Sequence, residues 1–467
     1  MADLERRRNE ELARILHQLG WSPERLAREV NLTVPARMAI SSTAPYKWRD
    51  RGMVPRSPHD QAVCEVLSRT LGIAVTYEQL WGPMGGHRGA KILSPRLLTD
   101  PWTADTAQTA LRETAADAGP VRLTDLFRGA DLAEAARRLA TPPPALGGDG
   151  ALRVDPAVIG ELAAAHRSKQ RLERSCGGGL VLGPARAELA MVAKLLELGG
   201  YDEPLGRALY GAAGRLARLA AQAAFDLGHD ATAQRAFAAA LRAAHLSGER
   251  RDGVAVLGGL VVLATWSAGG RGLDAVTVLA QAVAAVGEEL GPAGRALQLG
   301  RIARAHGRRG DAAALAETAG RAFAELDAGA GGSGALAQER ADLAGMVGEG
   351  HLFLGEHGRA QALLAEAVAG LGPGRARARV LLMVRLADSQ RLAGDPAEAA
   401  RTADRARALA AGMQSERVAR ALRGIDAAFR SAEGGAGAGA GAGAAGMAEG
   451  ASAGLPEGAS AVSPGGG

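Results

Sequence analysis

Five turn-like segments recur at nearly even intervals through the second half of the chain, and a repeat of this length admits few folds. They are LGHDATA (227–233), GGRGLDA (269–275), RRGDAAA (308–314), LGEHGRA (354–360) and AGDPAEA (393–399). The turn glycines Gly228, Gly270, Gly310, Gly355 and Gly394 stand 42, 40, 45 and 39 residues apart. Five positions on, four segments carry alanine (Ala233, Ala275, Ala360, Ala399) and the third carries Leu315. Glycine takes the left-handed position that ends a helix, and a small residue early in the next lets two helices approach. The pattern predicts helical hairpins, each with an apolar face it cannot bury alone, so the hairpins must stack. A plain bundle without repeats does not produce this spacing. The helical period runs from about residue 153 to 432.

Composition agrees with an all-α chain. Hydrophobic residues make up 47% but aromatic ones only 3%, so the apolar mass is alanine, leucine and valine, suited to close helix packing. At 467 residues the chain exceeds one ordinary core, and more than one unit is expected. No run of 18 apolar residues occurs, and the start MADLERRRNEEL lacks the apolar core of a signal peptide. Cys64 and Cys176 form no framework, which suits a reducing cytoplasm. No membrane partner is expected. From 433 to 467 a Gly/Ala-rich tail without lysine or arginine is expected to be disordered.

The N-terminal unit, 1–82, reads differently. Leu12, Ile15, Leu16 and Leu19 form an apolar helix stripe. A second helix opens with Ser22 as cap and Pro23 at its first position, with Leu26, Ala27 and Val30 inward. Ser41, Ser42 and Thr43 precede a third short helix, in which Pro45 lies near the start and Trp48 faces inward. Val63, Val66, Leu67 and Leu71 mark a fourth helix, and Leu80 and Trp81 pack from a last turn. This is the plan of a helix-turn-helix reader of the DNA major groove, in which the N-terminal residues of the recognition helix meet base edges and flanking cations hold phosphates. Ser42, Thr43 and Lys47 are therefore the base-contacting candidates. Arg37, Tyr46, Arg49, Arg51 and Arg56 are the phosphate-contacting ones. Between Arg37 and Arg56 five basic residues face one acid, Asp50, the charge such a module needs. About twelve residues, Asn31 to Ser42, separate the second and third helices where three or four is usual; this reads as an inserted, wing-like loop bearing Arg37. The competing reading of 1–82 is a helical bundle that docks protein, and it stays open.

Two stretches carry a resemblance to a known family. LGWSPERLAREVN, APYKWRDRGMVPR and AVCEVLSRTLGIAVTYEQLWG are similar to the XRE-type helix-turn-helix of actinobacterial, Streptomyces-type regulators. RLERSCGGG, and the run from YDEPLGRALY to RAAHLSGER, resemble the helical repeat domain of the same family. Where that family carries Trp-x-x-Tyr-Asp before the repeat turn, this chain has Gln222, Phe225 and Asp226. The resemblance covers about a third of the chain. It implies a cytoplasmic, nucleoid-associated tetratricopeptide-type transcription regulator of differentiation or antibiotic production. It names no effector.

No enzyme is expected. CGGGLVLG at 176–183 has no Gly-Lys-Ser/Thr and places Leu182 where a dinucleotide loop needs glycine, so it reads as a flexible connection. No HExxH, zinc-spaced Cys/His cluster or GxSxG elbow occurs, and neither cofactor nor metal is expected. Arg375, Arg377, Arg379 and Arg385 form a basic face that suits either solvent with intrahelical pairs or an acidic partner. The expected organisation is a helix-turn-helix domain (1–82), a linker with weak helices (83–152) in which TPPPALGGDG at 141–150 is a hinge, a tetratricopeptide-like α-solenoid (153–432) and a tail (433–467). The function expected is sequence-specific binding of double-stranded DNA by a homodimer, with the array dimerising or taking a peptide, protein or small-molecule effector. The alternative is an interaction scaffold whose head docks protein.

Overall fold

The turn glycines take the conformation their spacing demands. In the computed structural model Gly228, Gly310, Gly355 and Gly394 have φ of 76°, 79°, 74° and 89°. Each sits in the same pair of hydrogen bonds. The residue after the glycine donates back to the carbonyl five positions earlier: His229 to Ala224 at 2.8 Å, and Asp311 to His306, Glu356 to His351 and Asp395 to Gln390 at 3.0 Å. The glycine N–H reaches the carbonyl three residues back at 3.0–3.1 Å. These are Schellman motifs, which satisfy carbonyls a helix end leaves orphaned. Ala233, Ala360, Ala399 and Leu315 are all fully buried. Gly270 lies outside the described residues, which are 8–34, 38–56, 58–71, 75, 77–81, 91–93, 101–116, 121–123, 129–266, 275–329 and 336–435.

The chain forms two compact units, Met1–Pro83 and Met84–Ala440. The first contains α1 (Glu10–Gln18), α2 (Pro23–Thr33), α3 (Ala44–Asp50), α4 (His59–Leu71) and α5 (Tyr77–Trp81). The stripes read from the sequence make its core: Leu12, Ile15, Leu16, Leu26, Val30, Trp48, Val63, Val66, Leu67 and Leu80 are buried together.

The second unit is an all-α helical-repeat solenoid with a few short strands. It opens with β1 (Lys91–Leu93), α6 (Ala104–Ala115), β2 (Val121–Leu123), α7 (Gly129–Ala140), β3 (Gly148–Asp149) and β4 (Leu152–Arg153). There follow α8 (Val158–Cys176), α9 (Leu182–Leu198), β5 (Gly199–Tyr201), α10 (Glu203–Asp226), α11 (Asp230–Ser247) and α12 (Arg250–Trp266). The remainder is α13 (Ala275–Arg308), α14 (Ala312–Gly329), α15 (Ala337–Phe353), α16 (His357–Gly370), α17 (Ala376–Leu392), α18 (Pro396–Ala410) and α19 (Glu416–Gly435). β1 pairs with β2 in parallel, and β5 lies between antiparallel β3 and parallel β4. α13 is two helices merged across a kink at Gly291, φ 64°, with Pro292 next. α13 packs on α12 before it and on α14 after it. α10 with α11, α15 with α16, and α17 with α18 are hairpins, packed pairwise.

The expected linker is in large part core. Trp102, Ala107 and Leu111 of the α6 region and Leu132, Ala135 and Leu139 of α7 are buried in the main core of the solenoid. Each lays its apolar side on the array, α6 on α9 and α11, α7 on α12 and α13. The expected hinge is pinned as well. Leu146 is buried in the same core, and Arg207 and Arg250 donate to the Pro144 and Ala140 carbonyls. At the other end, α19 continues to Gly435, three residues into the expected tail; the rest of that tail lies outside the described residues.

The segment leading into the last helix returns to the ends of α8 and α10. The Gln414 N–H donates to the Cys176 carbonyl at 2.8 Å, and the Gly179 N–H to the Gln414 carbonyl at 3.0 Å. Asp226, fully buried, accepts from Ser415 Oγ at 2.8 Å, from the Gly178 N–H at 2.8 Å and from Arg377, whose other end meets Glu173. The glycine run at 177–179 is thus no flexible connection. A Cβ on Gly178 would stand 2.5 Å from the Ala223 carbonyl oxygen, and one on Gly179 2.6 Å from Gln414 Cβ. Among the described residues no helix is long and apolar enough to cross a membrane.

Candidate nucleic-acid interface

The short helix α3 is assembled from both sides by the sequence around it. Ser22 caps α2, its Oγ accepting from the Arg25 N–H at 3.3 Å, with Pro23 in the first turn. Asn9 caps α1 and joins α3 to the bundle, its own N–H donating to the Arg49 carbonyl at 2.7 Å. Trp48 is buried and meets Trp81 edge-on, ring centroids 6.4 Å apart at 85°. With one side of α3 sealed in this way, the opposite side faces outward.

That outward side is basic. Thr43, Lys47 and Arg51 follow one another at a spacing of four, so they stand one above another on one helical face. All three are exposed, as are Ser42 and Arg56. Thr43 occupies the N-cap position but makes no capping bond; its Oγ1 lies 3.1 Å from Ser41 Oγ. Lys47, Arg51 and Arg56 have no ion-pair or hydrogen-bond partner through their side chains among the described residues.

Two of the phosphate-contacting candidates are otherwise engaged. Tyr46 is half-buried and its hydroxyl donates to Glu24 Oε1 at 2.5 Å, which fastens α3 to α2. That bond raises the tyrosine pKa; the Tyr46 hydroxyl first and Ser22 second hold the Glu24 carboxyl below its ordinary range. Arg49 donates to both oxygens of neighbouring Asp50, at 2.7 and 2.9 Å, and its Cζ lies 5.1 Å from the Tyr46 ring centroid. The bond to Arg49 holds Asp50 low and raises Arg49. Tyr46 and Arg49 therefore hold the helix in place. Arg37 lies outside the described residues.

The long loop before α3 is closed by a residue that the sequence reading passed over. α2 extends to Thr33, so residues 34–43 form the connection. Asn31 spans it: its Nδ2 donates to the Ile40 carbonyl at 2.9 Å, and the Ile40 N–H donates to its Oδ1 at 2.8 Å. His59 Nε2 lies 2.6 Å from the Met38 carbonyl oxygen. An asparagine near the end of a helix, facing a long Ser/Thr-rich loop, is the one local signal of such a clamp.

The basic face expected at 375–385 turns inward at three of its four arginines; Arg379 is half-buried and has no ion pair among the described residues. Arg375 binds Asp342, Arg377 binds Glu173 and Asp226, and Arg385 lies 3.7 Å from Glu349. It is neither solvated nor paired within its own helix, since each carboxylate belongs to another helix.

Among curated proteins and among solved structures, none matches the chain. One family model, described as the SP15 N-terminal domain, matches residues 12–81, which is most of the first unit and none of the repeats.

Proposed function

We propose that the chain is a DNA-binding transcription regulator of the XRE helix-turn-helix type, with a tetratricopeptide-like array behind its reading head. The observation that carries this reading is the exposed Thr43–Lys47–Arg51 face of α3, whose cations are unpartnered among the described residues while the opposite side is fixed by Trp48. A helix presented in this way fits the major groove, with Ser42, Thr43 and Lys47 toward base edges and Arg51 and Arg56 on phosphates. Tyr46 and Arg49 act as positioning residues. The repeats are spaced 39 to 45 residues apart, longer than the roughly 34 of tetratricopeptides, so the likeness is one of two-helix plan and not of length. A single small head binds DNA weakly, which favours a homodimer on a two-fold site. The place of action is then the cytoplasm, at the nucleoid, and the regulated processes are those the family resemblance implies.

The test is selection of bound fragments from a double-stranded DNA library by the full chain, beside a Lys47→Ala/Arg51→Ala variant, with salt varied. The expected result is a two-fold-symmetric site, lost in the variant. Affinity should fall by about 0.9 log units per log unit of salt for each phosphate held. Recovery of no fragment at low salt by the intact dimer would overturn the proposal in favour of a protein-docking head.

A further inference from the structure

The inner side of the solenoid holds a second concentration of positive charge, remote in sequence from the reading head. At its centre is Trp266, the last residue of α12. Three guanidiniums surround its ring: Arg385 Cζ lies 4.7 Å, Arg308 Cζ 5.8 Å and Arg304 Cζ 5.9 Å from the centroid. Phe353 adds a second aromatic wall, 5.8 Å from Trp266 between centroids and 5.6 Å from Arg308 Cζ. These residues come from α12, α13, α15 and α17, so only the stacked array brings them together.

Against three arginines stands one carboxylate. Glu349 accepts from Arg304 Nη1 at 2.9 Å and lies 3.7 Å from Arg385 Nε. Arg308 has no carboxylate partner among the described residues, and three buried donors of the cluster, Arg304 Nε, Arg308 Nη1 and Trp266 Nε1, lack any acceptor. Burial, with Arg385 and Arg304 beside it, pushes Arg308 down to about 10, so it remains charged at neutral pH. Arg304 is 8% exposed, whereas Arg308 and Arg385 keep partial access to solvent. Unmatched cations and orphaned donors gathered around one ring are costly unless an anion completes them.

We propose that this cluster binds the phosphate group of a small phosphorylated molecule. Three guanidiniums and one carboxylate leave an excess of positive charge, to which the neighbouring Arg301 and Arg417 add, and a phosphate dianion offsets more of it than a single carboxylate does. The forked N–H pairs of arginine match phosphate oxygens. Trp266 and Phe353 supply apolar walls for the rest of the molecule. The inference stands independently of DNA binding.

The test is calorimetric titration of the full chain, without DNA, with inorganic phosphate, phenyl phosphate and succinate at fixed ionic strength set by chloride. Phosphate should saturate one site per chain, phenyl phosphate should bind more tightly, and succinate at least tenfold more weakly. Arg308→Gln should weaken phosphate at least tenfold, while Arg309→Gln, an exposed neighbour in the turn that follows the helix, should leave it unchanged. Glu349→Gln removes the competing carboxylate and should tighten phosphate several-fold, which keeps the proposal testable if Arg308→Gln fails to fold. Saturation unaltered by Arg308→Gln, weaker binding in Glu349→Gln, or no heat beyond dilution with either phosphate would overturn it. Retained phosphate binding in Lys47→Ala/Arg51→Ala separates this site from the reading head.

Discussion

Asp226 is the residue whose removal should cost the solenoid most. It is fully buried and serves three donors at once: Arg377 Nη1 at 2.7 Å, Ser415 Oγ at 2.8 Å and the Gly178 N–H at 2.8 Å. Asp226→Ala leaves a buried guanidinium with Glu173 alone and orphans a hydroxyl and a backbone N–H. Breaking a buried pair by removing one partner costs about 3–5 kcal/mol, and that is the destabilisation expected here. Asp226→Asn keeps the shape and one acceptor but turns an NH2 toward donors, so about 2–3 kcal/mol is expected. Replacing both charges, as in Asp226→Leu/Arg377→Met, should recover only part of the loss: the two apolar groups need no partners, but the buried Glu173 carboxylate loses Arg377 as well. Urea unfolding followed by far-ultraviolet circular dichroism gives the free energies. Amide exchange at Gly179 and Gln414 reports whether the local contact opens first. Asp226→Ala within about 1 kcal/mol of the parent, or a double variant as unstable as the two singles summed, would refute the reasoning.

Asn31→Ala deletes both hydrogen bonds that close the loop before α3; a loss of about 1–2 kcal/mol is expected in thermal melts of the first unit, together with weaker DNA binding. Two alanine substitutions should act in opposite directions. Gly394→Ala forces a φ of 89° on a side chain and should cost about 1 kcal/mol, whereas Gly320→Ala, inside α14 with open space around it, should stabilise by up to about 1 kcal/mol. His166, 8% exposed and beside Arg218 and Arg215, is held down to about 4 chiefly by burial. The unfolded chain therefore takes up a proton near pH 6.5 that the folded one refuses until about 4. Its contribution is intact above that window and declines as pH falls through it, by on the order of 2 kcal/mol once solvent reaching the ring is allowed for. His166→Gln should flatten the stability profile between these limits, and an unchanged slope would argue against the assignment.

What could be read in the sequence is what is local. Each repeat turn needs only a left-handed glycine and a small residue five positions on, both written in the segment itself. The same holds for the stripes of α1 to α4. The α6 and α7 segments read as a linker because the surfaces they lie on belong to α9, α11, α12 and α13, which no window of their own contains. The arginines at 375–385 read as a surface because their partners, Glu173, Asp226, Asp342 and Glu349, belong to other helices. In the first unit, exposure of Lys47, and of Thr43 and Arg51 at the two ends of α3, follows from helix periodicity and the inward Trp48. The ties that occupy Tyr46 and Arg49 do not, since Glu24 belongs to another helix and residue spacing says nothing of which hydroxyl it meets.

The return of the segment before α19 to α8 and α10 changes how the array must come apart. An open stack of repeats has two free ends, and unfolding starts there, since a terminal unit has one neighbour and gives up one interface. Here the segment before the last helix is tied to the ends of α8 and α10 through Gln414, Ser415 and the 177–179 glycines, so the last repeat has a second attachment. To melt, it must break that junction as well as its interface with the preceding hairpin. Cooperativity should therefore extend from the last repeat to α8 and α10, and cutting the chain after Ala410 should loosen α8 and α10 as much as it loosens α17 and α18.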